Sequence, residues 1–258
     1  MSIFSLVRIH ALLVAVGLLL GPGFSIAQDS MDDEDALART ILEKSDAIRF
    51  PREGFQVDID ITSNRPDQEP ERRKYRVLSK GNENTVVMIL EPASERGQIM
   101  LMRGRDFWVF MPNVSQPIRL GLAQRLTGQV ANGDLARANF SGDYTPRLLR
   151  EERIDGQMHY VLELRAVDRG VTYHRVLLWV NRSNFRPLKA EFYSLSNRLM
   201  KTASYEDFRQ MAGMARPTRM VMQDALKPGD VSVLEYGDMR LRDLPDRVFH
   251  RDYLKRLQ

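Results

Sequence analysis

The sequence contains no cysteine. That removes disulfides, thiolate metal sites and cysteine nucleophiles together. It also removes the lipid-modified cysteine that tethers bacterial lipoproteins, so no anchor of that kind is expected. Histidine is almost as scarce. His10 lies in the N-terminal apolar stretch, and His159, His174 and His250 stand far apart with no second ligand at i+2 or i+4. Zinc needs three or four ligands held together, so neither a metal nor a cofactor is expected. His159 follows a turn and reads as a surface strand residue. Gly-x-Ser-x-Gly elbows, Walker patterns and Gly-x-Gly-x-x-Gly runs are all missing. With them go the usual signatures of serine hydrolases and nucleotide-using enzymes. Paired carboxylates such as Glu151-Glu152 sit among other charges and read as solvated, so no enzyme activity is expected. A large excess of one charge is lacking too: 38 Lys and Arg face 34 Asp and Glu, interspersed along the chain. No basic helix or finger spacing is present, and nucleic acid is not an expected partner.

Long apolar runs are confined to the N-terminus. Ala11 to Leu20 is apolar throughout, preceded by Arg8 and closed by Gly21-Pro22-Gly23. Ser25-Ile26-Ala27 then supplies small residues for a cut after Ala27. This is the pattern of a cleavable secretory signal over residues 1–27. The run is too short for the ~20 residues that span a bilayer core. Removing it leaves 37 basic against 34 acidic residues, a net +3. The remaining 28–258 has no linker and no repeat, and its length suits one β-rich domain and a monomer.

What is abundant is strand pattern. After a predicted helix from Ala36 to about Ile48, with Leu37, Ile41 and Ile48 near one face and Leu42 alongside, period-two alternation begins. Phe55, Val57, Ile59 and Ile61 alternate with Gln56, Asp58, Asp60 and Thr62. Hairpin signals follow at Gly81, at Gly104-Arg105-Asp106 and at Asp155-Gly156. The pattern predicts about ten or eleven strands in hairpin succession. A sheet of that size curls, so the expected fold is α+β but mostly β. It is a strongly curved, incompletely closed antiparallel barrel, with the N-terminal helix and a helical insertion on its concave side.

The insertion, about 121–142, interrupts the strands. Leu122, Leu126 and Val130 are spaced i, i+4, i+8, which predicts a short amphipathic helix ended by Asn132-Gly133. Asp134 is placed as the cap of a second helix through Leu135 to Phe140. A long ordered connection of this kind is usually a lid or a binding element. Several strands are apolar on both faces, among them Thr85 to Leu90, Phe107 to Met111 and Val176 to Val180. Such runs mean either that both faces are covered or that one lines an apolar cavity. Met100 and Met102 lie just before the insertion, and Met220 and Met222 share one face of a later strand. Methionine suits surfaces that accept varied shapes, although filling core gaps is its commoner use. Trp108 and Phe110, and Trp179 further on, lie within the continuous apolar strands.

Several stretches resemble the outer-membrane lipoprotein-sorting (LolA-like) carriers: Trp108 to Pro112, Arg125-Leu126-Thr127-Gly128, Asn132-Gly133-Asp134, Asp143-Tyr144-Thr145, Trp179-Val180, Arg186 to Phe192 and Arg216-Pro217-Thr218. The resemblance covers nearly all of the chain after residue 35. It implies a half-barrel with a lid, residence in the periplasm and lipoprotein or lipid cargo. It also implies a membrane-bound transporter and an outer-membrane acceptor as partners. It tips the doubly apolar strands toward a cavity, with Met100, Met102, Trp108, Phe110, Leu122, Leu126, Val130, Trp179, Met220 and Met222 as candidate ligand contacts. A different class, a periplasmic sensory module gripping a segment of a partner protein, fits similar half-barrels and stays open at this point.

Overall fold

A computed structural model describes residues 25–81, 83–112, 114–137 and 139–254. The predicted export signal lies outside the described residues over positions 1–24.

The first helix, α1, spans Ser25–Arg49 and runs further toward the N-terminus than its apolar pattern suggested. Its buried stripe is Ala38, Ile41, Leu42, Ser45, Asp46 and Arg49, whereas Leu37 is 42% exposed. The stripe is therefore turned from the expected one, because Asp46 and Arg49 at its C-terminal end are buried for the bonds they make, with Ser45 carried in beside them. Arg216 closes the helix by donating to the carbonyls of Ala47 (2.6 Å) and Ile48 (3.1 Å), two of the carbonyls a helix end leaves unpaired.

The strands before the insertion are β1 (Phe55–Asn64), β2 (Glu71–Lys80), β3 (Asn84–Glu91), β4 (Ile99–Arg103), β5 (Asp106–Phe110) and β6 (Ile118–Leu120). Two very short ones lie within it, β7 (Arg125–Thr127) and β8 (Val130–Ala131), followed by helix α2 (Asn132–Ala136). After it come β9 (Tyr144–Ile154), β10 (Gln157–Ala166), β11 (Arg175–Asn181), β12 (Pro187–Tyr193), β13 (Leu199–Met211), β14 (Met214–Asp224), β15 (Val231–Tyr236) and β16 (Arg240–Leu241). A C-terminal 3-10 turn, Asp246–Phe249, leads into the short helix α3, Arg251–Leu254.

The main sheet has 14 strands, more than the ten or eleven predicted, and is antiparallel throughout. Its order is β6-β5-β4-β3-β2-β1-β15-β14-β13-β12-β11-β10-β9, with β16 also on β1. The ends β6 and β9 do not pair, so the curved sheet stays open. Several predicted turns sit where the residues demand. Asp155 and Gly156 both have positive φ (48° and 79°) between β9 and β10, the backbone that a two-residue hairpin of this type needs. The alternation of β1 is fully realised, with every second residue buried.

One large core lies on the concave face, between the sheet, α1 and the insertion. It takes Val57, Ile59 and Ile61 from β1, Met100 and Met102 from β4, and Val176, Leu178 and Val180 from β11. A second, smaller core lies on the opposite face of β2 to β4. There Leu78, Val86, Ile99 and Leu101 are covered by Leu244, Val248, Phe249 and Leu254 of the C-terminal segment. This accounts for the strands that are apolar on both sides: β3 and β4 face a core in each direction. His159 is 4% exposed and held at Gln157 O, which corrects its reading as a surface residue.

Candidate functional site

The insertion crosses the concave face, but not as the two helices expected from its spacing. Leu126 and Val130 fall in a β-hairpin instead, Leu122 in the turn before it, and the helix that follows is Asn132–Ala136. The reason is local. Gly128 takes a positive φ of 49°, which breaks a helix and makes the Thr127-Gly128-Gln129 tip of the hairpin. Leu122 and Val130 are fully buried in the concave core, with Leu126 packed at its edge. The i, i+4, i+8 pattern thus marks inward residues of an irregular segment. Asp134 sits inside α2 rather than before a helix, and its carboxylate accepts from the backbone N–H of Ala131 (2.8 Å), capping the first turn from within.

Polar contacts hold the hairpin tip to the sheet. Gln129 N–H donates to Ser232 Oγ (2.9 Å), which in turn pairs with Ser63 Oγ (2.9 Å) across the β1–β15 junction. Lys201 Nζ donates to Gln129 O. The far end of the insertion is fixed to α1: Asp46 accepts from the backbone N–H of Phe140 (3.0 Å) and Ser141 (2.7 Å), and also from Arg49 (3.1 Å). A third set of contacts ties the insertion to both sides of the open sheet. Arg137 pairs with Asp143 and donates to Gly104 O, while Arg105 in the β4–β5 turn reaches Asp143 and Asp168.

Beneath α2 lies a cavity. Its floor is sheet: Tyr205, Met220, Met222 and Tyr236. Its walls are Arg49 and Phe50 from the α1 end, with Phe140, Tyr144 and Tyr173 from the connections. Gly133 and Asp134 form its roof. The free space amounts to about 30 Å3, room for one or two waters. Pockets that hold a drug-sized ligand measure roughly 300–1,000 Å3. The cavity as it stands has no room for an acyl chain. The cavity's polar side is dense. Tyr173 donates its hydroxyl to Asp134 (2.7 Å), and Tyr144 accepts at its own hydroxyl from Tyr173 N–H (3.2 Å). The latter contact ties Tyr144 to the corner it follows. Burial pushes the Asp134 carboxyl up from its ordinary range and the Lys201 ammonium down. Burial likewise raises the phenols of Tyr173, Tyr205 and Tyr236, keeping them neutral.

Of the ten candidate contacts, Met100, Met102, Leu122, Val130, Met220 and Met222 share the concave core, with Leu126 packed against it. Met220 and Met222 line the cavity itself. Trp108 and Phe110 are not brought to it. They alternate with Phe107 and Val109, which point inward, and so take the outer face near Leu101 and Arg251. Trp179 lies opposite its inward neighbours Leu178 and Val180, under Lys189 and bonded through its indole N–H to Glu152 (3.1 Å). Of the cavity's polar groups, the sequence marks Asp134 and Tyr144 but as a cap and a corner anchor, and it does not single out Tyr173, Tyr205, Tyr236 or Arg49. For two of them a signal was present: Tyr205 and Tyr236 share the parity of the inward Ala203 and Leu234.

A family model described as "Uncharacterized protein" matches residues 81–256. No curated protein matches the sequence. Among solved structures, the LolA superfamily protein of Nitrosomonas europaea is 66% identical, with a TM-score of 0.81, over 84% of this chain and 98% of its own. A candidate outer-membrane lipoprotein-sorting protein domain of Vibrio parahaemolyticus has a TM-score of 0.74 at 21% identity, over 86% of this chain and 99% of its own. A DUF1329 family protein of Desulfovibrio piger gives 0.73 at 21%, with the same coverage. At that identity these last two share the fold.

Proposed function

Because the chain belongs to the LolA superfamily, we propose that it is a non-enzymatic periplasmic carrier of acylated cargo, a lipoprotein or a lipid. It takes the cargo's acyl chains into the concave core and hands them on toward the outer membrane or an exporter. An inner-membrane transporter and an outer-membrane acceptor are the partners this role requires. The observation that carries the reading is the cavity of about 30 Å3 between the sheet and α2, which we take as the closed state of a roof that lifts. The core around it is lined by methionine and aromatic side chains, and the tip of the roof is pinned by a few polar contacts. Water drives loading, since each Å2 of acyl surface buried contributes ~25 cal/mol. Polar pins favour release, because water replaces such bonds when the insertion lifts, so their net worth is only ~1 kcal/mol each. A sensory module would offer an uncovered apolar strip to its partner. Here the outer faces of β3 and β4 are covered by the chain's own C-terminal segment.

The test is native mass spectrometry of the exported, processed protein, purified without detergent. Adducts with the mass of acylated species are expected, lost on mild activation. A bare protein that also fails to enhance an apolar naphthylamine dye would end the carrier reading.

A further inference from the structure

Two hydroxyls in the cavity have no assigned work. Tyr205, 6% exposed, comes from β13 and Tyr236 from β15. Both side chains line the cavity floor, and among the described residues neither hydroxyl makes a hydrogen bond. Neither hydroxyl is among the fully buried unpaired atoms, so both open onto the cavity space, and an apolar acyl tail gains nothing from two bare O–H groups. The Arg49 guanidinium stands 5.5 Å from the Tyr205 ring centroid. All three groups belong to the sheet or to α1, so they stay in place if the insertion lifts. A fourth group changes on opening. In the closed form Tyr173 donates to Asp134, which belongs to the insertion. Asp134 is thus a carboxylate that the chain itself supplies to the cavity, and its withdrawal frees the Tyr173 hydroxyl.

We propose that this cavity is a polar subsite for the oxygen-bearing end of an acyl group, a carboxylate or ester carbonyl, which accepts hydrogen bonds from Tyr205 and Tyr236 in the open form and takes the place of Asp134. This rests on the carrier reading and adds to it that the cargo's carbonyl end is recognised inside the protein and not left in water. Burial keeps both phenols protonated, as donors must be.

The experiment compares wild type with the Tyr205→Phe/Tyr236→Phe double variant. An apolar naphthylamine dye reports the cavity, and palmitate or methyl palmitate displaces it. Loss of one hydrogen bond typically weakens binding about fivefold, so roughly 25-fold weaker displacement is expected for the pair, with dye affinity and melting temperature unchanged. A loss seen with palmitate alone marks a carboxylate site, and a loss with both ligands marks a carbonyl site; either supports the subsite. Equal displacement in both proteins overturns it while the carrier reading stands. A variant that loses dye and ligands alike also overturns it, because the tyrosines then only shape the cavity. If wild type binds neither dye nor palmitate, both readings fall.

Discussion

Gly128 is the residue that lets the hairpin tip sit against the sheet. Its φ of 49° is the left-handed conformation. A Cβ there would overlap the Oγ atoms of Ser63 and Ser232 and stand 2.7 Å from Ser63 Cβ. Both serines belong to rigid strands and cannot yield. Gly128→Ala is expected to loosen the hairpin tip at a cost of roughly 1–2 kcal/mol from backbone conformation alone. Its signature is faster hydrogen exchange at Gln129 N–H with the sheet amides unchanged. Uniformly faster exchange would mean that the tip is part of the fold and not a latch on it.

Asp134 offers a second test at this scale. Burial raises its carboxyl above the ordinary 3.8. A raised carboxyl keeps its proton to higher pH in the folded chain than in the unfolded one. Its penalty is therefore relieved as pH falls through the folded pKa toward 3.8, and stability is gained in that window. Wild type should gain melting temperature relative to Asp134→Asn as pH drops from about 7 to about 4. A difference that stays flat would indicate that Lys201 and Tyr173 already compensate the charge.

Among the elements, the insertion is the one on which the proposed carrier function depends. The absence of cysteine makes a lock simple to build. A Cβ placed on Gly133 in α2 would lie 3.0 Å from Thr172 Cβ in the β10–β11 connection. A disulfide spans about 3.5–4.5 Å between Cβ atoms, so slight relaxation suffices. Oxidised Gly133→Cys/Thr172→Cys should lose dye binding, and reduction should restore it, because only the open fraction binds. Equal binding in both redox states would place the entrance elsewhere.

The insertion is also where the sequence misled. Strands such as β1 were readable because one face is dry and one wet, so side-chain character repeats every two residues. The Asp155-Gly156 turn was readable because few residues accept positive φ. In the insertion neither rule operates. Leu122, Leu126 and Val130 point inward from a segment whose path is set by tertiary contacts with Ser232, Asp46 and Lys201. Three apolar residues four apart fit such a path as well as they fit a helix. The candidate contacts divided for a related reason. A doubly apolar strand does not reveal which side is the cavity, and Trp108, Phe110 and Trp179 took the other one. Tyr205 and Tyr236 follow the strand alternation inward, but Arg49 ends a helix and Tyr173 lies in a connection, where no period marks an inward position.

At the scale of the whole molecule, the strand order holds one long-range junction. Every other neighbouring pair along the path from β6 to β9 is made of strands consecutive in the sequence. The distant meeting is at β1, which pairs with β15 and, off the path, with β16; Ser63 and Ser232 lie 169 positions apart. The two free edges, β6 and β9, flank the insertion. The chain is therefore two ladders of local hairpins zipped along a central seam. Ladders with local contacts form quickly, and the seam, which must close a loop of most of the chain, is the slow step. On this topology the covalent link through the insertion is expected to be dispensable for assembly. A backbone cut after Gly142, on an exposed turn before β9, should give two polypeptides that reassemble along β1 and β15 when mixed. Analytical ultracentrifugation would show a one-to-one complex, and fragments that stay apart would mean that the insertion is needed to bring the ladders together. Such a pair would turn lid opening and seam formation, inseparable in the intact chain, into a bimolecular association whose rate can be set by concentration.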